Sequence, residues 1–160
     1  MRRSTLLFLL AAGLTGCRDS VAPSLTLIGE WAAAPDMSQA DGSVYQVTLS
    51  LREDQTFVRD WRAYLPASGG VRGAVFAYAT TEGTYTVRGD SLFMRAVTNR
   101  SWDRDFYGGA VIVTQVNNVD IHGDGARYEF VGERLTLHYL SYPADAPVET
   151  AETFFRLGEL

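Results

Sequence analysis

Tyr85-Thr86-Val87-Arg88-Gly89-Asp90-Ser91-Leu92-Phe93-Met94 recurs 43 residues later as Tyr128-Glu129-Phe130-Val131-Gly132-Glu133-Arg134-Leu135-Thr136-Leu137. Each copy places a Gly and an acidic residue between two runs of alternating character. Glycine at the first position of a two-residue loop supplies the positive φ of a type II′ turn, so each copy predicts a tight β-hairpin. The turn sets the register: Val87 opposite Leu92, Tyr85 opposite Met94, Phe130 opposite Leu135 and Tyr128 opposite Leu137, all on one face. Thr84, Thr86, Arg88, Ser91 and Arg95 occupy the other face of the first copy. Arg127, Glu129, Arg134, Thr136 and His138 do so in the second. One side is core and the other solvent.

Working outward, Val44–Leu51 and Thr56–Tyr64 pair through Arg52-Glu53-Asp54-Gln55, with Val47, Leu49 and Leu51 inward. Gly73–Thr80, Ala110–Val119 and Thr150–Leu157 read as further strands. No stretch of residues 27–160 has helical periodicity. The expectation is an all-β domain of eight to ten antiparallel strands. So long a meander hides its edges by closing on itself or packing as a sandwich, and an up-and-down barrel is the simpler solution.

Composition agrees. The 160 residues are 46% hydrophobic, 21% charged and 12% aromatic, the profile of one folded domain. The 14 basic residues are all Arg, against 19 acids. Loss of Arg2 and Arg3 with a leader takes the formal charge from −5 to −7, a surface that repels phosphate backbones and argues against nucleic acid.

The leader is read from Arg2-Arg3, the apolar run Leu6–Ala12 and the small residues before Cys17, the order of a secretory signal peptide. The apolar run is too short to span a bilayer, which takes about 20 residues. Leu14-Thr15-Gly16-Cys17 resembles the lipobox of bacterial lipoproteins. The resemblance implies cleavage after residue 16, diacylglycerol on the Cys17 thiol, and stable anchoring by its acyl chains. Arg18, where an inner-membrane retention signal would place Asp, implies sorting to the outer membrane, facing the periplasm in a diderm cell. Residues 17–26, with Pro23, form a short tether to a domain spanning 27–160. Cys17 is the only cysteine, so no intramolecular disulfide forms.

Gly29-Glu30-Trp31 on the first strand, the two hairpins, and the closing Phe154-Phe155-Arg156-Leu157 resemble lipocalin-like bacterial lipoproteins. The resemblance implies that Gly29 and Trp31 close the barrel base and that Arg156 lies over the indole as a cation–π stack. Whether such a barrel is filled by side chains or holds a small ligand is not set by strand count.

Chemistry-bearing patterns are sparse. His122 and His138 are the only histidines, there is no Gly-x-Ser-x-Gly elbow, and no carboxylate pair stands out, so the expectation is a non-enzymatic protein without a cofactor. Asp120, His122 and Asp124 are the one group with metal-ligand character, against a reading as ordinary turn residues. Two aromatic- and Arg-bearing stretches, 60–70 and 99–109, read as long connections at the barrel rim. The first expectation is therefore an envelope protein binding a small apolar or amphipathic ligand, with Trp61, Tyr64, Tyr85, Met94, Trp102, Tyr128 and Tyr139 lining or rimming the site. The other is a solid barrel that docks an envelope protein through the segments around Trp61 and Trp102.

Overall fold

The structure, a computed structural model, describes residues 26–33, 37–38, 42–68, 71–105, 107–143 and 146–158. The expected signal peptide (1–16), Cys17 and the tether up to residue 25 lie outside them, as do Gly69, Gly70 and Phe106. Ten strands are described: β1 (Gly29–Ala33), β2 (Met37–Ser38), β3 (Val44–Leu51), β4 (Thr56–Tyr64), β5 (Val75–Arg88), β6 (Ser91–Asp103), β7 (Ile112–Asp120), β8 (Ala126–Val131), β9 (Arg134–Ser141) and β10 (Val148–Arg156).

All pairings between them are antiparallel. The ladder runs β1-β10-β9-β8-β6-β5-β4-β3, and β3 pairs back onto β1. Eight strands thus close an up-and-down barrel. β7 attaches to the upper part of β6 outside this circuit, and the two-residue β2 extends β3.

Both repeated hairpins have the expected register: Val87 pairs with Leu92, Tyr85 with Met94, Phe130 with Leu135 and Tyr128 with Leu137. Gly89 and Gly132 have φ of 60° and 64° at the first loop position, a conformation that costs residues with a Cβ. β3 and β4 match their expected limits. Other boundaries differ. The strand expected at Gly73–Thr80 does not stop there but runs on to Arg88, its ladder continuing through a register shift at Glu82/Gly83 where β6 carries Val97 as the extra residue of a bulge. A Cβ on Gly83 would sit 2.0 Å from the Arg95 carbonyl oxygen and 2.9 Å from the Phe57 ring. Close approach of two backbones is what the glycine permits. The strands expected at Ala110–Val119 and Thr150–Leu157 are β7 and β10, shifted by one or two residues.

One end of the barrel is its packed base. The Tyr85 hydroxyl donates to the Arg52 carbonyl at 2.7 Å, the Tyr128 amide to the Asp90 carbonyl at 2.8 Å, and the Arg156 amide to the Glu133 carbonyl at 2.9 Å, tying together the three turns there. Trp31, Leu49, Leu51, Phe57, Tyr85, Leu92, Met94, Leu135, Leu137 and Phe154 are essentially inaccessible. Each such side chain contributes about 1.5–3 kcal/mol of burial, against the entropy of ordering the chain. The Trp31 indole N–H donates to the Leu27 carbonyl at 3.0 Å. The Arg156 guanidinium lies 4.3 Å above the same indole and donates to the carbonyls of Ile28, at 2.9 Å, and Thr26. A Cβ at Gly29 would come within 2.7 Å of this guanidinium, so the glycine makes room for the cation.

Candidate functional site

Above this base the interior changes character. Pairing of Leu49 with Arg59 and of Val47 with Trp61 carries the inward row of β4 from Phe57 through Arg59 to Trp61. On β10, Glu152 lies opposite Leu137, between the inward Thr150 and Phe154. β4 and β10 are not neighbours, since β3 and β1 stand between them in the ladder. Yet Arg59 Nη2 donates to Glu152 Oε1 at 2.9 Å, so the ion pair crosses the barrel interior. The Tyr139 hydroxyl stands 3.5 Å from the second oxygen of Glu152, and the His122 ring packs 4.2 Å from the Tyr139 ring.

His122 is only 6% exposed and its Nδ1 has no hydrogen-bond partner among the described residues, as is true of Arg59 Nε and Asn99 Oδ1. Burial, reinforced by the nearby Arg59 cation, lowers the His122 pKa to about 4 and keeps the imidazole neutral. Burial raises the Tyr139 phenol, with the Glu152 charge acting in the same sense. Burial also raises the Asp120 carboxyl, against the opposing hydrogen bond from the His122 amide. In this cluster the Arg59–Glu152 ion pair is thus internally compensated and stands beside a neutral imidazole and a neutral phenol. Such a lining suits a ligand bearing an uncharged polar group, because a charged one would compete with Arg59 or Glu152 for its partner.

The cluster opens sideways into a cleft of ≈ 770 Å³ lined by His122, Arg127, Tyr139, Tyr142, Glu149 and Thr150 among others, a size typical of small-molecule sites. The opening has a topological cause. β8 pairs with β9 only as far as Arg127 opposite His138, so Tyr139–Ser141, paired with β10 on one edge, have the turn Ile121–Gly125 and not a strand on the other. Gly123 and Gly125, with φ of 74° and 92°, shape that turn, and a Cβ on Gly125 would strike the Phe93 ring at 2.7 Å.

The seven expected binding residues disperse. Tyr139 lines the cleft, and Trp61 sits inside the barrel beside Arg59, stacked on Tyr45 at 5.4 Å. Tyr85 and Met94, 1% and 0% exposed, belong to the packed base and line nothing. Tyr128 is half-buried, edge-on to Phe130, with its hydroxyl donating to the Gly89 carbonyl at the base. Tyr64 and Trp102 project from the outer face, against the expectation that they rim the interior. Asp60–Tyr64 belong to β4 and Asn99–Asp103 to β6, so the two stretches read as long connections are largely strand. On β4, alternation from the inward Phe57 sends Tyr64 outward. On β6, the bulge at Ala96/Thr98 resets the alternation and turns Trp102 out.

Asp120, His122 and Asp124 do not assemble as ligands. Asp120 Oδ1 accepts the His122 amide at 2.9 Å, the geometry of an Asx turn, and no three His, Cys, Asp or Glu side chains gather as a metal set among the described residues. Sequence reading missed Arg59, Glu152 and Tyr45. The available signal was opposite charges at two inward positions of amphipathic strands. No protein-family model matches the chain, and no curated protein matches it.

Proposed function

We propose that the chain is an exported lipoprotein, acylated on Cys17 and held at a membrane of the cell envelope, whose lipocalin-like barrel binds a small amphipathic ligand non-enzymatically. The polar portion of the ligand sits against Arg59, Glu152, Tyr139 and His122, and the remainder extends into the cleft beside β9, its apolar part against Tyr139, Leu140 and Tyr142. The observation that carries this reading is a partly buried ion pair across the interior, accompanied by buried polar atoms without partners among the described residues, beside His122 and Tyr139, which line a cleft of ≈ 770 Å³. Buried polar groups are normally satisfied, and a hydrogen-bonding ligand satisfies these. The solid base confines the ligand to the upper half.

Native mass spectrometry of the protein purified from its own envelope, before and after organic extraction, tests the reading. A small molecule that co-purifies, is released by extraction, and is lost in Glu152→Gln supports it. A ligand-free mass in the parent protein defeats it. A second reading, a docking module for another envelope protein, is favoured by β7, whose outer edge is unpaired among the described strands and whose Ile112, Val113 and Val119 are 37%, 54% and 56% exposed. Retention of a protein partner together with a ligand-free barrel supports that alternative.

A further inference from the structure

On the outer wall, register aligns Gln46 of β3, Arg62 of β4, Tyr78 of β5 and Trp102 of β6 in one row. At about 4.8 Å between strands the row spans about 14 Å. Tyr78 and Trp102 stack at 5.9 Å with their planes 24° apart. The Trp102 indole N–H donates to the Gly109 carbonyl at 2.8 Å, so the chain after β6 pins the ring. A hollow of ≈ 440 Å³ lies over Tyr78 and Trp102, bounded by Arg62, Val75, Thr80 and Val111. A smaller one of ≈ 220 Å³ continues it past Arg62 to Gln46, Asp60 and Tyr64. Asp60 is held by the Thr80 hydroxyl at 2.6 Å and by Arg62 Nε, so the polar groups of the row are oriented before anything binds.

We propose that this outer groove is a second binding site, for a neutral oligosaccharide. Sugar C–H groups, polarised by neighbouring oxygens, suit the negative face of an aromatic ring, and sugar hydroxyls need alternating donors and acceptors such as Arg62, Asp60 and Gln46 supply. The groove is open and rimmed with charge, so a hydrocarbon there would stay half wet. The acidic chain repels polyanions. A protein interface would have to desolvate the Arg62–Asp60 pair, whereas hydroxyls extend its hydrogen bonding. The site lies outside the barrel and does not depend on the interior ligand.

The test is tryptophan fluorescence of the full-length chain in a sugar-free detergent, titrated with an N-acetylglucosamine β-1,4 tetramer and with maltotetraose. The expected result is a saturable change with at least one of them. Trp102→Ala and Tyr78→Leu, followed by calorimetry, weaken binding by about tenfold or more. Phe155→Ala, an exposed aromatic on β10, two strands from β3 and three from β6 around the barrel, leaves it unchanged. Melting curves confirm that each variant is folded. Absence of a saturable response to both sugars, equal binding by folded Trp102→Ala, or a response to an unrelated peptide but to neither sugar overturns the proposal.

Discussion

Acidification should destabilise this protein through His122 in particular. The imidazole is buried against Tyr139 near the Arg59 cation and its pKa falls from 6.5 to about 4. Between those values the unfolded chain holds a proton that the folded chain refuses, so stability rises with pH. The contribution is complete above about pH 6.5 and is lost progressively as pH falls towards 4. Over the whole shift the penalty is about 3 kcal/mol, and between pH 7.5 and 4.5 it is about 2.5 kcal/mol. For a chain of this length that corresponds to a fall in Tm of about 5–10 °C. Urea unfolding followed by circular dichroism at the two pH values, in the parent and in His122→Gln, isolates the effect, since the other titrating groups are common to both. The parent should lose about 2.5 kcal/mol more than the variant on acidification. A difference below about 0.5 kcal/mol would mean that the ring is solvated and that the interior is not the neutral polar cluster described above.

Arg156→Met removes the stack on Trp31 and two charge-assisted hydrogen bonds, and should cost about 2–3 kcal/mol in chemical unfolding, with Arg156→Lys intermediate. Gly83→Val drives a side chain into the Arg95 carbonyl and should cost about 3 kcal/mol, visible as a lowered Tm or as insoluble expression. Glu152→Gln leaves Arg59 without its counter-charge and should destabilise the fold more than Glu149→Gln, an exposed change on the same strand. Equal midpoints in urea would refute the interior ion pair. Cys17→Ser should abolish incorporation of a labelled fatty acid and release the protein from the membrane fraction.

Where interactions are local, the amino-acid sequence was enough. The two hairpins follow from Gly-Asp and Gly-Glu loops flanked by period-two runs, because a two-residue turn and an alternating pattern each demand the same register. The β3–β4 hairpin was legible for the same reason. The pairing of Trp31 with Arg156 was reached only through resemblance, and the register of β1 on β10 accounts for it. Tyr64 could have been placed outside by continuing the alternation from Val47 and Leu49 across the hairpin. Trp102 could not, because the bulge at Ala96/Thr98 inverts the faces of β6 and leaves no unambiguous mark in its residues.

The tertiary structure alone decided the site. Arg59 and Glu152 are 93 residues apart and meet only because the barrel closes, bringing inward positions of non-adjacent strands across a shared interior. The cleft likewise arises because β8 takes up pairing with β9 only from Arg127 opposite His138, a consequence of strand stagger around the closed sheet. Local chemistry selects turns and faces. Which inward side chains confront one another is set by closure and shear, which no short stretch of residues encodes.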